Sequence, residues 1–221
     1  AYAIYGSYGS LVYATPILGG IIADKLLGNR AAILLGGILM ALGHFVMAFP
    51  NETAFYTALA LLILGNGFFK PNVSSMVGKL YRQGDPRRDS GFTIFYMGIN
   101  LGAFLAPIAC GFAKQYFGWH VGFGLAGVGM LFGLLWFYLG RGIFGERGAP
   151  PSPSNFHVIF ATVALISFAM VPIVIRLMKI EVLREWLIPG IASVMFLYLF
   201  CIAIMSRSEE HTSELQSPCN L

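Results

Sequence analysis

An all-α polytopic membrane protein is the fold class this sequence predicts, and three observations predict it. The mean hydropathy is +0.74. Hydrophobic residues make up 57% of the 221 positions and charged residues only 11%, against about 25% charged in a soluble domain. The apolar residues also fall in seven runs, each near the ~20 residues that cross a ~30 Å hydrocarbon core as a helix. So few charges cannot coat a soluble globule, whereas lipid accepts apolar surface when helices satisfy the backbone internally.

In order, the runs are 2–23, 31–49, 54–78, 91–112, 121–140, 157–175 and 186–205. All but 54–78, which holds Lys70, lack Lys, Arg, Asp and Glu. The loops alternate in cation content: Asp24, Lys25 and Arg30 are followed by the cation-free Pro50-Asn51-Glu52. The loop with Lys79, Arg82, Arg87 and Arg88 is followed by one holding Lys114 and His120, then by one holding Arg141, Glu146 and Arg147. The excess of Lys and Arg on cytoplasmic loops places 25–30, 79–90 and 141–156 on the cytoplasmic side of an inner (plasma) membrane. The formal net charge of +4 is thereby read as an orientation signal, and no nucleic-acid partner is implied.

Residues 1–147 form a first bundle, and the proline-rich linker 148–156 separates it from a two-helix hairpin over 157–205. The hairpin turn carries Arg176, Lys179 and Arg184, which fits the charge alternation poorly; the count of crossings places it outside. Residues 206–221, SRSEEHTSELQSPCNL, are polar and without period. They resemble translated sequencing-adapter read-through, with a disordered native tail as the alternative, and are assigned no function. Cys110, Cys201 and Cys219 show no paired spacing, so neither a disulfide framework nor a metal site is expected.

Three stretches carry chemistry. In GGIIADKLLGNR (19–30), Gly28 permits a tight reversal, and Asp24 and Arg30 sit where two helix ends meet the headgroups. In GNGFFKPNV (65–73), Lys70 is the single formal charge within an apolar run. A lysine at membrane depth marks function by default, although one this close to a helix end can also snorkel to the interface. Pro71 would free carbonyls for the ammonium. In FTIFYMGINLGAF (92–104), Tyr96 and Asn100 are four apart on one helix face. Gly98 and Gly102 make a small-residue stripe for close helix approach; a buried Asn there either glues helices or binds a ligand. His44 is expected to be a hydrogen-bonded structural histidine rather than a proton relay.

Taken together, GGIIADKLLGNR, GNGFFKPNVSSMVGKLY and FTIFYMGINLGAFLAP resemble the proton-dependent oligopeptide transporter family of the major facilitator superfamily. That resemblance implies two six-helix bundles with substrate bound between them. This chain would supply helices two to six plus the two helices that bacterial members insert between bundles. The first helix, with its E-x-x-E-R motif, and the second bundle would be supplied by other parts of the parent chain, so the isolated chain is expected not to transport. The resemblance further implies that Lys70 binds the peptide carboxylate and couples protons, and that Tyr96 and Asn100 contact the peptide. Tyr13 would line the same pocket, and Asp24 with Arg30 would belong to a conformational latch. The implied activity is symport of di- and tripeptides driven by a proton gradient, with no cofactor. A related carrier of nitrate or another small solute is the alternative. A membrane-embedded enzyme would need a carboxylate, His or Cys cluster at membrane depth, and the spans offer neither an acid nor such a cluster.

Overall fold

The computed structural model describes residues 2–180, together with Ser193 and Leu197. The predicted helix over 186–205, those two positions apart, and the tail 206–221 lie outside the described residues. The backbone falls into two units, Tyr8–Leu177 and Ala1–Ser7 with Met178–Leu221, and the candidate site residues belong to the first. Helix α1 runs Tyr2–Ile22 and continues as a π turn over Ala23–Leu27. It is followed by α2 (Asn29–Met47), α3 (Glu52–Leu80), α4 (Arg87–Phe117), α5 (Trp119–Leu139), the single turn α6 (Arg141–Phe144) and α7 (Phe156–Lys179). Among the described residues six helices are long and apolar enough to cross a membrane, and none of these residues is in a strand.

Helix ends differ from the hydropathy boundaries in one direction. Helices α3 and α4 take in Lys79, Arg87 and Arg88, expected in a loop, and Asp24 and Lys25 sit in the π turn rather than in a connection. Hydropathy marks the hydrocarbon, whereas the hydrogen-bond ladder runs on into the headgroup layer. The 29 residues of α3 extend about 43 Å at 1.5 Å per residue, well beyond a ~30 Å core. At the start of α3, Asn51 is extended (φ −141°), and its side chain accepts a hydrogen bond from the Ala54 N–H at 2.6 Å. Asn51→Ala is expected to lower stability by about 1 kcal/mol, read as a small fall in the melting temperature in detergent.

The α1–α2 connection is a single residue. Gly28 has φ +75°, and its N–H returns to the Ala23 carbonyl at 2.7 Å. A Cβ at this position would lie 2.5 Å from the Ala149 carbonyl oxygen, so glycine is required both for the turn and for the chain that crosses it.

The core lies between α2 and α3, where Leu35, Leu39, Leu61 and Ile63 are buried. Glycines let the backbones meet: a Cβ on Gly36 would sit 2.6 Å from the Gly65 carbonyl oxygen, and one on Gly65 would sit 2.7 Å from that of Gly36. Gly19 of α1 likewise faces the Gly67 carbonyl. Pro71 does not break α3, which runs through it. The carbonyl that loses its ladder partner is Gly67, four residues back, and it lies against Gly19 instead of holding an ammonium. The close approach expected at Gly98 and Gly102 is absent among the described residues, because no heavy atom lies within 4 Å of either Cβ position. On α4, Met97, Leu101, Phe104 and Ile108 are each more than half exposed, apolar surface of a kind that lipid accepts.

Cross-element contacts sort the loops into two ends. Arg30 donates from Nε to the Arg147 carbonyl at 2.7 Å and from Nη2 to the Gly145 carbonyl, and Lys79 donates to the Asn29 side chain. The three cation-rich connections therefore share one end of the bundle. At the other end, His120 Nδ1 meets the Ala48 carbonyl.

Candidate functional site

Two of the four predicted substrate residues come together. The Lys70 ammonium lies over the Tyr13 ring, 4.8 Å from its centroid, joining α3 to α1. Tyr13 is 74% exposed, and Lys70 is exposed as well. Such a cation–π contact contributes about 0.5–2 kcal/mol, more as water is excluded. Among the described residues no ion pair reaches Lys70, and the one ion pair is Arg87–Asp85 at 2.9 Å.

The local packing that sets this pair was not legible in the motif. Pro16 lies inside α1, which runs through it, and deprives the Val12 carbonyl of its usual donor. Asn66, one turn before Lys70, supplies a replacement: its Nδ2 donates to Val12 O at 2.9 Å. The Thr15 hydroxyl lies 2.9 Å from the Leu11 carbonyl and 3.1 Å from the Ile63 carbonyl of α3. Residues on both sides of Tyr13 are thus tied to the helix that carries Lys70. The only signal in the sequence was an Asn four residues before the Lys, on the same helix face.

Asn66→Ala is expected to orphan the Val12 carbonyl and lower stability by about 1–3 kcal/mol. Adding Pro16→Ala restores a backbone donor to that carbonyl and should recover part of the loss. A double-mutant cycle on melting temperatures measures this, and purely additive losses would contradict the assignment.

Tyr96 and Asn100 lie one turn apart on α4, both exposed. The Tyr96 ring stacks on Phe92 with centroids 6.5 Å apart and is tilted against Phe95 at 5.6 Å. Among the described residues no hydrogen bond or ion pair joins this pair to Lys70. Asn100 is open, so of the two roles left to it, gluing helices has no support within the described residues.

Asp24 and Arg30 are not paired with each other. Asp24 is exposed on the π turn, while Arg30 holds the Gly145 and Arg147 carbonyls and lies 5.7 Å from the Phe144 ring centroid. A second polar cluster, unforeseen from sequence, is buried nearby. Asn29 and Asn72 are 2% and 1% exposed. Asn29 Nδ2 donates to Asn72 Oδ1 at 2.8 Å, and Asn72 Nδ2 donates to the Phe68 carbonyl at 2.7 Å and to the Gly19 carbonyl at 3.5 Å. With Lys79 donating to Asn29, the cluster links α1, α2 and α3 in one hydrogen-bonded set.

His44 corrects an expectation. Its Nδ1 is buried without a hydrogen-bond partner, because the neighbouring surface is an apolar cavity of about 440 Å³ lined by Met47, Pro107, Cys110 and Phe123. Among the described residues no group of three metal-ligating side chains forms.

Comparison with known proteins supplies the family. A family profile described as PTR2, POT family, matches residues 30–211. The di-/tripeptide transporter of Lactococcus lactis subsp. cremoris is 45% identical over 183 residues, which is 77% of this chain and 37% of that protein. The uncharacterized transporter YclF of Bacillus subtilis (strain 168) is 53% identical over 142 residues, 64% of this chain and 29% of its own length. A crystal structure of a mutant of peptide transporter POT in complex with alafosfalin matches at TM-score 0.69 and 40% identity, over 90% of this chain and 42% of that one. The chain therefore spans less than half the length of these relatives. With six apolar spans and this match, the chain is a multi-pass membrane protein that belongs to the POT family.

Proposed function

We propose that this chain provides part of a proton-coupled symporter of di- and tripeptides working by alternating access. The observation that carries the reading is the Lys70–Tyr13 pair: an exposed ammonium on a membrane-spanning helix, over an exposed aromatic ring, with no acid bonded to it among the described residues. A lysine at such depth is costly, and an entering peptide carboxylate relieves that cost through a charge-assisted hydrogen bond. Tyr13 presents its ring to the ammonium and to the apolar part of a peptide. Tyr96 and Asn100 offer further hydroxyl and amide groups. Lys70, as the cation of the pair, is also the residue to which proton coupling is assigned. The relatives named di-/tripeptide transporters favour the same substrate class. The reading is that of a carrier rather than an enzyme, with a proton gradient and no cofactor.

An unpaired ammonium would also receive a small inorganic anion, so a nitrate carrier is the second reading. The deciding experiment is uptake of a labelled dipeptide into proteoliposomes by a full-length transporter carrying this sequence, under an inward proton gradient. Unlabelled dipeptide should compete and nitrate should not; the reverse result selects the second reading.

Asp24 and Arg30 are proposed as a latch in which Arg30 grips the chain after α6 in one state. The cation-rich end is assigned to the cytoplasm of a plasma (inner) membrane, supported by the clustering of Arg30, Lys79 and Arg147 at one end and by the bias of basic loops toward that side. Cysteines introduced at Gln83 and Thr53 report this: only the second should react with an impermeant maleimide applied from outside.

A further inference from the structure

Two cavities flank the short segment after α5. The first, about 570 Å³, lies at the cation-rich end and is lined by Arg82, Arg87, Arg147, Asp85 and Leu80. Its one acid is committed: Arg87 binds Asp85 through Nε at 3.1 Å and Nη2 at 2.9 Å. These hydrogen bonds hold the Asp85 carboxyl below its ordinary range, and the aspartate stays charged. Arg82 and Arg147 are in no ion pair among the described residues, although Arg82 lies near enough to Asp85 to help hold its carboxyl down. With three guanidinium groups lining it against one carboxylate, the cavity keeps an excess of positive charge in groups shaped for bidentate capture of phosphate oxygens.

The second cavity, about 510 Å³, is apolar and lies between α2, α3, α5 and α6, lined by Phe69, Met130, Leu134, Phe137, Ile143 and Phe144. The chain connects their linings. Phe144 and Arg147 are three residues apart, and Arg30 links them by lying over the Phe144 ring while bonding the Arg147 carbonyl. An anionic pocket at the headgroup level beside an apolar slot at membrane depth has the chemistry of a phospholipid, not of a soluble phosphate, which has no use for the slot. Basic pockets between membrane helices recognise anionic headgroups in this way.

We propose that this end of the bundle holds an anionic phospholipid, its phosphate between Arg82 and Arg147 and an acyl chain in the α2–α3–α5–α6 cavity. The site is separate from the Lys70–Tyr13 pair, and the inference does not depend on the transported substrate. A bound lipid would brace the chain that Arg30 grips.

Native mass spectrometry of the purified protein, released from nanodiscs of equal parts phosphatidylcholine and phosphatidylglycerol, reads the occupant. Phosphatidylglycerol adducts should outlast phosphatidylcholine adducts. Arg82→Gln with Arg147→Gln should lower that preference roughly 10- to 30-fold, since each cation near an anionic surface contributes about five-fold in binding. Arg147 serves Arg30 through its backbone carbonyl, so the double variant keeps that contact, and circular dichroism verifies its helix content. Arg141→Gln, whose side chain is engaged with Tyr138 and lines neither cavity, should leave the preference unchanged. Equal retention of both lipids, or a preference that survives the double variant, overturns the site. Displacement of the lipid by soluble glycerol 3-phosphate overturns it in favour of a free-anion pocket.

Discussion

Lys70→Ala is expected to reduce proton-driven dipeptide uptake to background in a full-length transporter carrying this sequence, with expression and helix content retained. A hydrogen bond to a charged group contributes about 1.5–3 kcal/mol, so loss of the carboxylate partner alone weakens binding roughly 10- to 150-fold. Loss of the residue to which proton coupling is assigned removes coupling as well. Lys70→Arg keeps the charge but replaces a compact ammonium by a planar fork, and it should retain binding better than coupling. Tyr13→Leu removes the ring under the ammonium and should raise KM, whereas Tyr13→Phe keeps the ring and should lie close to wild type. Counterflow, which needs binding without a gradient, separates the two contributions from gradient-driven uptake. Undiminished uptake by Lys70→Ala would remove the lysine from the mechanism.

The largest structural effect is expected at Gly36. Its Cβ position lies 2.6 Å from the Gly65 carbonyl oxygen and 2.7 Å from the Phe69 nitrogen, both rigid backbone, so no side-chain rotation relieves a substitution. Gly36→Val must force α2 from α3 across the core. Overpacking costs about 1–3 kcal/mol and sometimes more, and the value here should lie at or above the top of that range. Gly102→Ala meets no neighbour within 4 Å and gains helix propensity, so its melting temperature in detergent should match or exceed the parent's. Equal melting temperatures for Gly36→Val and the parent would refute the close α2–α3 contact.

These two glycines show how much could be read in the sequence. A glycine pair at four-residue spacing signals that a helix can be approached closely. Yet Gly98 and Gly102 have that spacing and meet no neighbour, whereas Gly19, Gly36, Gly65 and Gly67 lack it and lie against other helices. Which glycines meet a neighbour depends on how helices rotate about their axes, and local spacing does not encode that. The same reason explains Arg30. Its place at a helix start was evident, but its partners lie 115 and 117 residues away, and only the returning chain after α6 brings their carbonyls to it. The Asn29–Asn72–Lys79 set spans 43 to 50 residues and was invisible for the same cause.

The sequence by itself determined the class of solvent, the number and order of the spans from α1 to α7, the distribution of cations among the loops, and Lys70 as a residue of interest; Tyr13 was singled out only through the family resemblance. The former are properties of hydropathy or of a local motif, and both are additive along the chain. Tertiary structure alone decided that Tyr13 lies under the Lys70 ammonium, that Asn66 replaces the donor lost at Pro16, that His44 Nδ1 has no partner, and that Arg82 and Arg147 share a cavity with an apolar neighbour. Those are contacts between helices, set by which backbones can approach and which polar groups must then be satisfied away from water.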